Sequence, residues 1–186
     1  MDRNYIKLGF VTMLLMSIIM ACNNNELYKE KVLIMKSKPI NVTKEKMQLV
    51  YSGIKDTIPQ SDINKTNNLL WVIYADSFVC SSCKLGELQF WNEFIYRTKK
   101  KYDNVDFCFI FSPKEEDKNM FMFTMKSLTF ASSIYLDSLR TFPKNNPQIP
   151  KDHRFHTFLL DKNRNIILIG DPIKNDRINE LFLETT

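Results

Sequence analysis

The chain has no block of lysines and arginines broken by aromatics, no internal repeat, and no apolar run of comfortable membrane-spanning length. The first absence leaves nucleic-acid binding without support, because the net charge of +5 is mild and spread along the sequence. The second points to one domain. The third gives the longest apolar stretch, Leu8 to Ala21, the dimensions of a secretory signal core. Histidine is nearly missing: His153 and His156 are the only two. Cysteine is scarce as well, with four residues, Cys22, Cys80, Cys83 and Cys108.

Arg3 and Lys7 give the apolar stretch a basic start, and it ends in Ile19-Met20-Ala21-Cys22 before the polar run Asn23-Asn24-Asn25-Glu26. This ending resembles a bacterial lipobox, with Met20 an unusual residue at the middle position. The resemblance implies a signal peptide over 1–21 and a lipid-bearing Cys22 as the first mature residue. The alternatives are an ordinary signal peptide with a chance cysteine, or an uncleaved anchor. Residues 22–45 are polar and Lys-rich, and read as a tether or a loosely packed helix. Residues 46–186 suit a single domain with a substantial core.

Within that domain, Cys80-Ser81-Ser82-Cys83 follows the apolar run Leu69-Leu70-Trp71-Val72-Ile73-Tyr74-Ala75. The run is too apolar to alternate, so it reads as a strand buried on both faces. Leu85, Leu88, Trp91, Phe94 and Ile95 recur at three-to-four spacing and predict a helix from about Cys80 to Lys101. Cys80 then lies at the helix start, where unpaired N–H groups and the helix dipole favour a thiolate. Cys83 lies a turn deeper, within reach to resolve a mixed disulfide. Strand, dithiol and helix together specify more than a bare C-x-x-C does.

The rest of the domain alternates. Met47 to Tyr51 predicts a short strand, Val105 to Phe111 a buried one, Lys114 to Leu128 a helix acidic in its first turn, and Ser133 to Leu136 a short strand. A Pro-rich loop covers 142–152. Phe155 to Leu160 and Ile166 to Ile169, joined by Asp161-Lys162-Asn163-Arg164-Asn165, predict an antiparallel hairpin. Asn175 or Asp176 caps a last helix with Ile178, Leu181 and Phe182 on one face. Cys108, inside Phe107-Cys108-Phe109-Ile110-Phe111, reads as a small packed hydrophobe.

The order strand, C-x-x-C helix, strand, helix, hairpin, helix resembles the thioredoxin-like (redoxin) family over roughly residues 46–186. The signal and lipobox place the resemblance in its membrane-tethered bacterial envelope branch. It rests on Cys80 and Cys83 in their context and on Thr157-Phe158-Leu159-Leu160-Asp161-Lys162-Asn163-Arg164-Asn165-Ile166-Ile167, which is similar to the family's T-F-L-I-D-x-x-G-x-I-V hairpin. The resemblance implies an α/β, three-layer fold with a mixed central sheet flanked by helices. It also implies thiol–disulfide exchange without an added cofactor. One departure matters: the family's cis-proline before the hairpin has no counterpart in Arg154-Phe155-His156-Thr157. That proline helps hold substrate backbone and keeps metals off the thiols.

Other features carry competing readings. Ser81 and Ser82 either donate to a thiolate or simply suit a helix start. Ser77-Phe78-Val79-Cys80 matches part of a peroxiredoxin pattern, but Ile73 replaces its opening proline. Tyr74 stands where many thioredoxins carry a buried carboxylate for proton transfer. Met120, Met122 and Met125 with Phe121 and Phe123 form either a soft binding surface or core. His153 and His156 are either exposed loop residues or, for His156, a partner of Cys80 and Cys83 in a copper or zinc site. A charged His156 would also stabilise a Cys80 thiolate.

Three functions follow as expectations. The first is a periplasm-facing, lipid-anchored thiol–disulfide oxidoreductase acting on exported proteins with disulfides, supplied by a separate electron donor. The second is metal binding through Cys80, Cys83 and His156. The third is a non-catalytic lipoprotein with a structural Cys80–Cys83 disulfide.

Overall fold

The computed structural model describes residues 26–53, 69–76 and 81–186, in two units, Met1–Ser37 and Lys38–Thr186. The expected signal peptide, Cys22, Cys80 and the Ser77-Phe78-Val79 stretch lie outside the described residues. In the first unit, residues 26–35 form helix α1, with an exposed Lys29–Glu26 pair at 2.8 Å. No described helix is long and apolar enough to cross a membrane.

The second unit is built on a mixed sheet. Its strands are β1 (Gln48–Tyr51), β2 (Leu69–Ala75), β3 (Val105–Phe111), β4 (Ile134–Leu136), β5 (Thr157–Leu160) and β6 (Ile166–Ile169). Their spatial order is β1-β4-β3-β2-β5-β6. Strand β2 runs parallel to β3 and β3 parallel to β4, while β1 and the β5–β6 hairpin run antiparallel to their neighbours. Helix α2 (Ser81–Lys101) makes the crossover from β2 to β3, and α3 (Lys118–Lys126) lies between β3 and β4. Parallel neighbours need such long connections, which is why the apolar runs at 69–75 and 105–111 are separated by a full helix. The mixed sheet with helices on its faces is the thioredoxin-like α/β arrangement that the sequence led us to expect.

Both faces of β2 are buried, and each has its own cover. Trp71 and Ile73 face the α2 side, where Leu88, Trp91, Phe94 and Ile95 pack with Phe182 of α5 (Asp176–Thr185). Aromatic edges meet faces throughout this layer: Trp71–Phe94 at 6.2 Å, Trp91–Phe109 at 5.4 Å and Phe109–Phe130 at 4.8 Å. Each such pair adds about 0.5–1.5 kcal/mol beyond the area it buries. On the opposite face Tyr74 packs on Phe142 with ring centres 5.1 Å apart. Cys108 is buried in β3, as expected of a small hydrophobe. At the end of α2, Lys99 Nζ reaches Asp106 Oδ1 at 2.6 Å with both side chains nearly buried.

Two elements differ from the sequence reading. The Pro-rich stretch opens with a short helix, α4 (Thr141–Asn145), instead of a loop. Pro143 falls in its first turn, where a missing N–H costs nothing. The buried Asp137 carboxylate accepts from the N–H groups of Thr141 at 2.8 Å and Phe142 at 2.7 Å. Strand β5 begins at Thr157, two residues later than expected, because His153–Phe155 forms a 3-10 turn. The methionine stripe splits: Phe121 and Met125 are core, whereas Met120 and Phe123 are exposed. The final helix is capped by Asn175, whose side chain accepts from the N–H groups of Arg177 and Ile178.

Candidate functional site

The sheet order decides what stands around the dithiol helix. Strand β2 ends at Ala75, and α2 starts at Ser81 with Cys83 as its third residue. The first turn of α2 contains no acidic residue. Nothing in that turn therefore offsets the positive end of the helix dipole, which favours an anion there. Cys80 precedes the first helical residue in sequence. The side chain of Cys83 lies outside the described residues.

Strand β5 lies beside β2 with Thr157 opposite Ile73. This register continues into the preceding residue: the Tyr74 N–H donates to the His156 carbonyl at 2.9 Å. The stretch Arg154-Phe155-His156-Thr157, matched by the resemblance to the family's proline region, is thus held against the end of β2 by a main-chain bond. The described residues contain no cis peptide.

His156 is buried, at 3% exposure, and this corrects the reading of both histidines as exposed loop residues. Only His153 is exposed. The imidazole stacks at a tilt on Tyr74, with ring centres 5.1 Å apart. Its Nε2 lies 2.9 Å from the Pro150 carbonyl oxygen. A carbonyl only accepts, so Nε2 carries the proton and Nδ1 keeps its lone pair. Nδ1 is buried and has no hydrogen-bond partner among the described residues. Burial lowers the His156 pKa, against the Pro150 bond and the Asp76 and Asp152 charges, which pull it up. Near neutral pH the ring is neutral. Burial thus works against the charged His156 considered beside Cys80.

Tyr74, which the resemblance sets where many thioredoxins carry a buried carboxylate, stays protonated at ordinary pH. Burial, helped by the Asp76 and Asp137 charges, pushes its hydroxyl up to about 12, while Ser112 and Arg140 work the other way. Asp76, two residues on and 9% exposed, is a carboxylate that the sequence reading passed over. Its place in the sequence, just after an apolar run that ends before the dithiol, was the available signal.

Among the described residues no group of three or more His, Cys, Asp or Glu could hold a metal ion. The proposed set Cys80, Cys83 and His156 lies partly outside those residues. Its chemistry is consistent: two thiolates and an imidazole suit copper or zinc, and Nδ1 is the ring atom with an uncommitted lone pair.

No protein-family profile and no curated protein matches the chain. Solved structures do show likeness. A candidate thiol:disulfide interchange protein DsbE from Chlorobium tepidum superposes with a TM-score of 0.48 at 13% identity, covering 65% of this chain and 82% of that one. A thioredoxin-like protein from Bacteroides caccae gives 0.45 at 12% identity, over 84% of this chain and 53% of that one. A candidate thiol-disulfide oxidoreductase from Bacteroides vulgatus gives 0.41 at 21%, over 62% and 74%. The fold itself rests on this chain's own topology. With α2 crossing from β2 to the parallel β3, and the β5–β6 hairpin antiparallel against β2, the chain has a thioredoxin-like fold.

Proposed function

We propose that this protein is a thiol–disulfide oxidoreductase of the bacterial cell envelope, with Cys80 as nucleophile and Cys83 as resolving thiol. The observation that carries the reading is the place of Cys83 in the first turn of α2, directly after the buried strand β2, in a turn free of acidic residues. The Cys80 thiolate attacks one sulfur of a substrate disulfide, and the other sulfur leaves as a thiolate that takes up a proton. Cys83 then loses its proton and attacks the Cys80 sulfur, releasing the second substrate thiol. Two electrons pass to the substrate, and the protein is left as a Cys80–Cys83 disulfide for a separate donor to reduce. The substrates are exported proteins with disulfides.

Limiting iodoacetamide on the reduced protein, followed by peptide mapping, tests the roles. Cys80 is expected to label first, because its thiol is the one at the helix start; preferential labelling of Cys83 reverses the assignment. A reduction potential below about −300 mV would instead identify a structural disulfide. The anchor belongs to the same proposal: cleavage after Ala21 and lipidation of Cys22 hold the domain at a membrane, facing the periplasm. Intact mass of membrane-extracted protein checks it, and a free Cys22 thiol refutes it.

The uncommitted Nδ1 of His156, beside the end of β2, favours metal binding as the second reading. Titration of reduced protein with Cu(I) or Zn(II) against a chelator tests it. Affinity unchanged in His156→Ala removes the three-ligand site.

A further inference from the structure

The two ends of the sheet differ in charge. Leu69 of β2 pairs with Val105 of β3, and Leu70 with Leu160 of β5. The starts of β2 and β3 and the turn between β5 and β6 therefore share one end. The end of α2 reaches it too: Lys99, Lys100 and Lys101 close the helix, and the Asn104 carbonyl just after them accepts from the Leu69 N–H at 2.8 Å. Lys162 lies in the β5–β6 turn. Lys38 precedes Ile40 by two residues, and the Ile40 N–H donates to the Arg164 carbonyl of that turn. At the opposite end, the turn that follows β3 carries Glu115, Glu116 and Asp117.

Lys99 is committed to Asp106 at 2.6 Å. Lys38, Lys100, Lys101 and Lys162 are exposed and form no ion pair among the described residues. Lys101 lies over the Tyr102 ring, 4.9 Å from its centre. The carboxylates at this end offset them little. Asp161 accepts from the N–H groups of Asn163 and Asn165, Glu184 lies 3.9 Å from Arg177, and Asp103 is exposed. A helix C-terminus favours a cation, and Lys100 alone would meet that preference. Lys38 and Lys162 are not on helices, so the dipole does not account for the cluster.

The same end offers apolar footing. Tyr96, Arg97, Lys100 and Lys101 share an arc of about 140° on the last turns of α2, with Arg97 3.6 Å from the exposed Glu93. A cavity of about 140 Å³ opens between α2 and α5. The buried Phe94 and Phe182 floor it, and Arg97, Lys101 and the half-exposed Leu183 flank it.

We propose that this end of the second unit docks on an anionic membrane surface. The lysines meet lipid phosphates, and Tyr96 and Leu183 sit at the headgroup boundary. The chain outside the unit argues for that occupant, since Lys38 opens the second unit and the residues before it lead back to Cys22. Helix α2, with 21 residues, is about 30 Å long. Its start, which carries Cys83, is then turned away from the lipid, toward exported proteins. That orientation rests on the membrane-anchored reading; the affinity for an anionic surface does not.

Vesicle sedimentation of residues 22–186 carrying Cys22→Ser, made without lipid, tests the surface alone and keeps the whole second unit. Binding is expected to vesicles with about 30% phosphatidylglycerol and not to pure phosphatidylcholine. It should be lost as salt rises from about 20 to about 300 mM. Lys100→Gln with Lys101→Gln should weaken binding by about tenfold or more, at about fivefold per lysine, and so should Lys38→Gln with Lys162→Gln. Lys114→Gln with Lys151→Gln removes the same charge where β3 and β2 end, and should change affinity by less than about twofold. Spin-labelled headgroups should broaden the amides of 97–102 and 161–164 and spare 114–118. Equal binding to neutral and anionic vesicles, an equal loss in the Lys114/Lys151 pair, or an unaltered Lys100/Lys101 pair would each overturn the proposal. An anchored protein whose unlipidated chain ignores anionic vesicles removes this surface and leaves the anchor; a chain that docks but carries no lipid does the reverse.

Discussion

Tyr74 shows what a single substitution does to a buried position. Its side chain lies between Phe142 and His156, and the folded protein holds its hydroxyl protonated up to about 12. The unfolded chain ionises the same group near 10. A folded-state value above the unfolded one gives stability that is complete below pH 10 and lost as pH climbs toward 12. With about 1.4 kcal/mol per unit of difference, the loss is roughly 2 kcal/mol over that window. Denaturant titrations of wild type and Tyr74→Phe from pH 9 to 11.5 are expected to converge as pH rises; parallel curves would show that Tyr74 does not titrate this way. The strand before the cysteine pair and the helix after it were legible because each leaves an apolar pattern in the sequence. The burial of His156 was not, since a histidine after a polar loop looks the same whether its ring faces water or Tyr74. Arg164 is a similar case. It fills the glycine position of the family hairpin with φ 66, and its neighbours Asn163 and Asn165 donate their N–H groups to Asp161. The sequence shows the missing glycine, and the fold shows that the turn keeps its left-handed residue regardless.

Periodicity marked the long elements and missed the short one. Strands β2 and β3 and helix α2 each repeat an apolar pattern over seven or more residues, enough to outweigh local noise. Helix α4 spans five residues, has a proline in it, and is organised by a residue outside it. The Asp137 carboxylate, fully buried at the end of β4, takes both the Thr141 and Phe142 N–H groups. Such a cap across a bend leaves no periodic trace. Hydrogen bonds to a charged group contribute about 1.5–3 kcal/mol, and their loss leaves buried donors unpaired. Asp137→Ala is therefore expected to destabilise the protein by about 2–3 kcal/mol in urea unfolding. Asp137→Asn, which keeps one acceptor oxygen, should cost about half as much. A loss below about 0.5 kcal/mol in the alanine variant would mean that the carboxylate does not hold α4.

At the scale of the molecule, the order of elements was readable in sequence, and with it the mixed sheet. What covers the far face of the sheet was not. Residues 38–43 lie in the stretch read as a polar tether, yet they belong to the second unit. Ile40 is 2% exposed, and its N–H donates to the Arg164 carbonyl at 2.8 Å. Asn41 exchanges two bonds with the buried Asn146 side chain: its N–H donates to Oδ1 at 2.7 Å, and its carbonyl accepts from Nδ2 at 2.9 Å. The same Nδ2 also donates to the Phe142 carbonyl at 2.8 Å, which links the segment to α4. Ile40 and Val42, alone in a short segment, are too few to set a period, so the burial of Ile40 is decided by partners far along the chain. A domain cut at residue 38 keeps these contacts, and one cut at residue 47 loses them. Burying an isoleucine contributes about 1.5–3 kcal/mol, and loss of the two Asn41 bonds to the Asn146 amide costs about 1–3 more. The 47–186 fragment is thus expected to be about 3–5 kcal/mol less stable than 38–186 in parallel denaturant titrations. Ile40→Ala in the full chain should reproduce the apolar share, about 2–4 kcal/mol. Equal stability of the two fragments would return residues 38–45 to the tether.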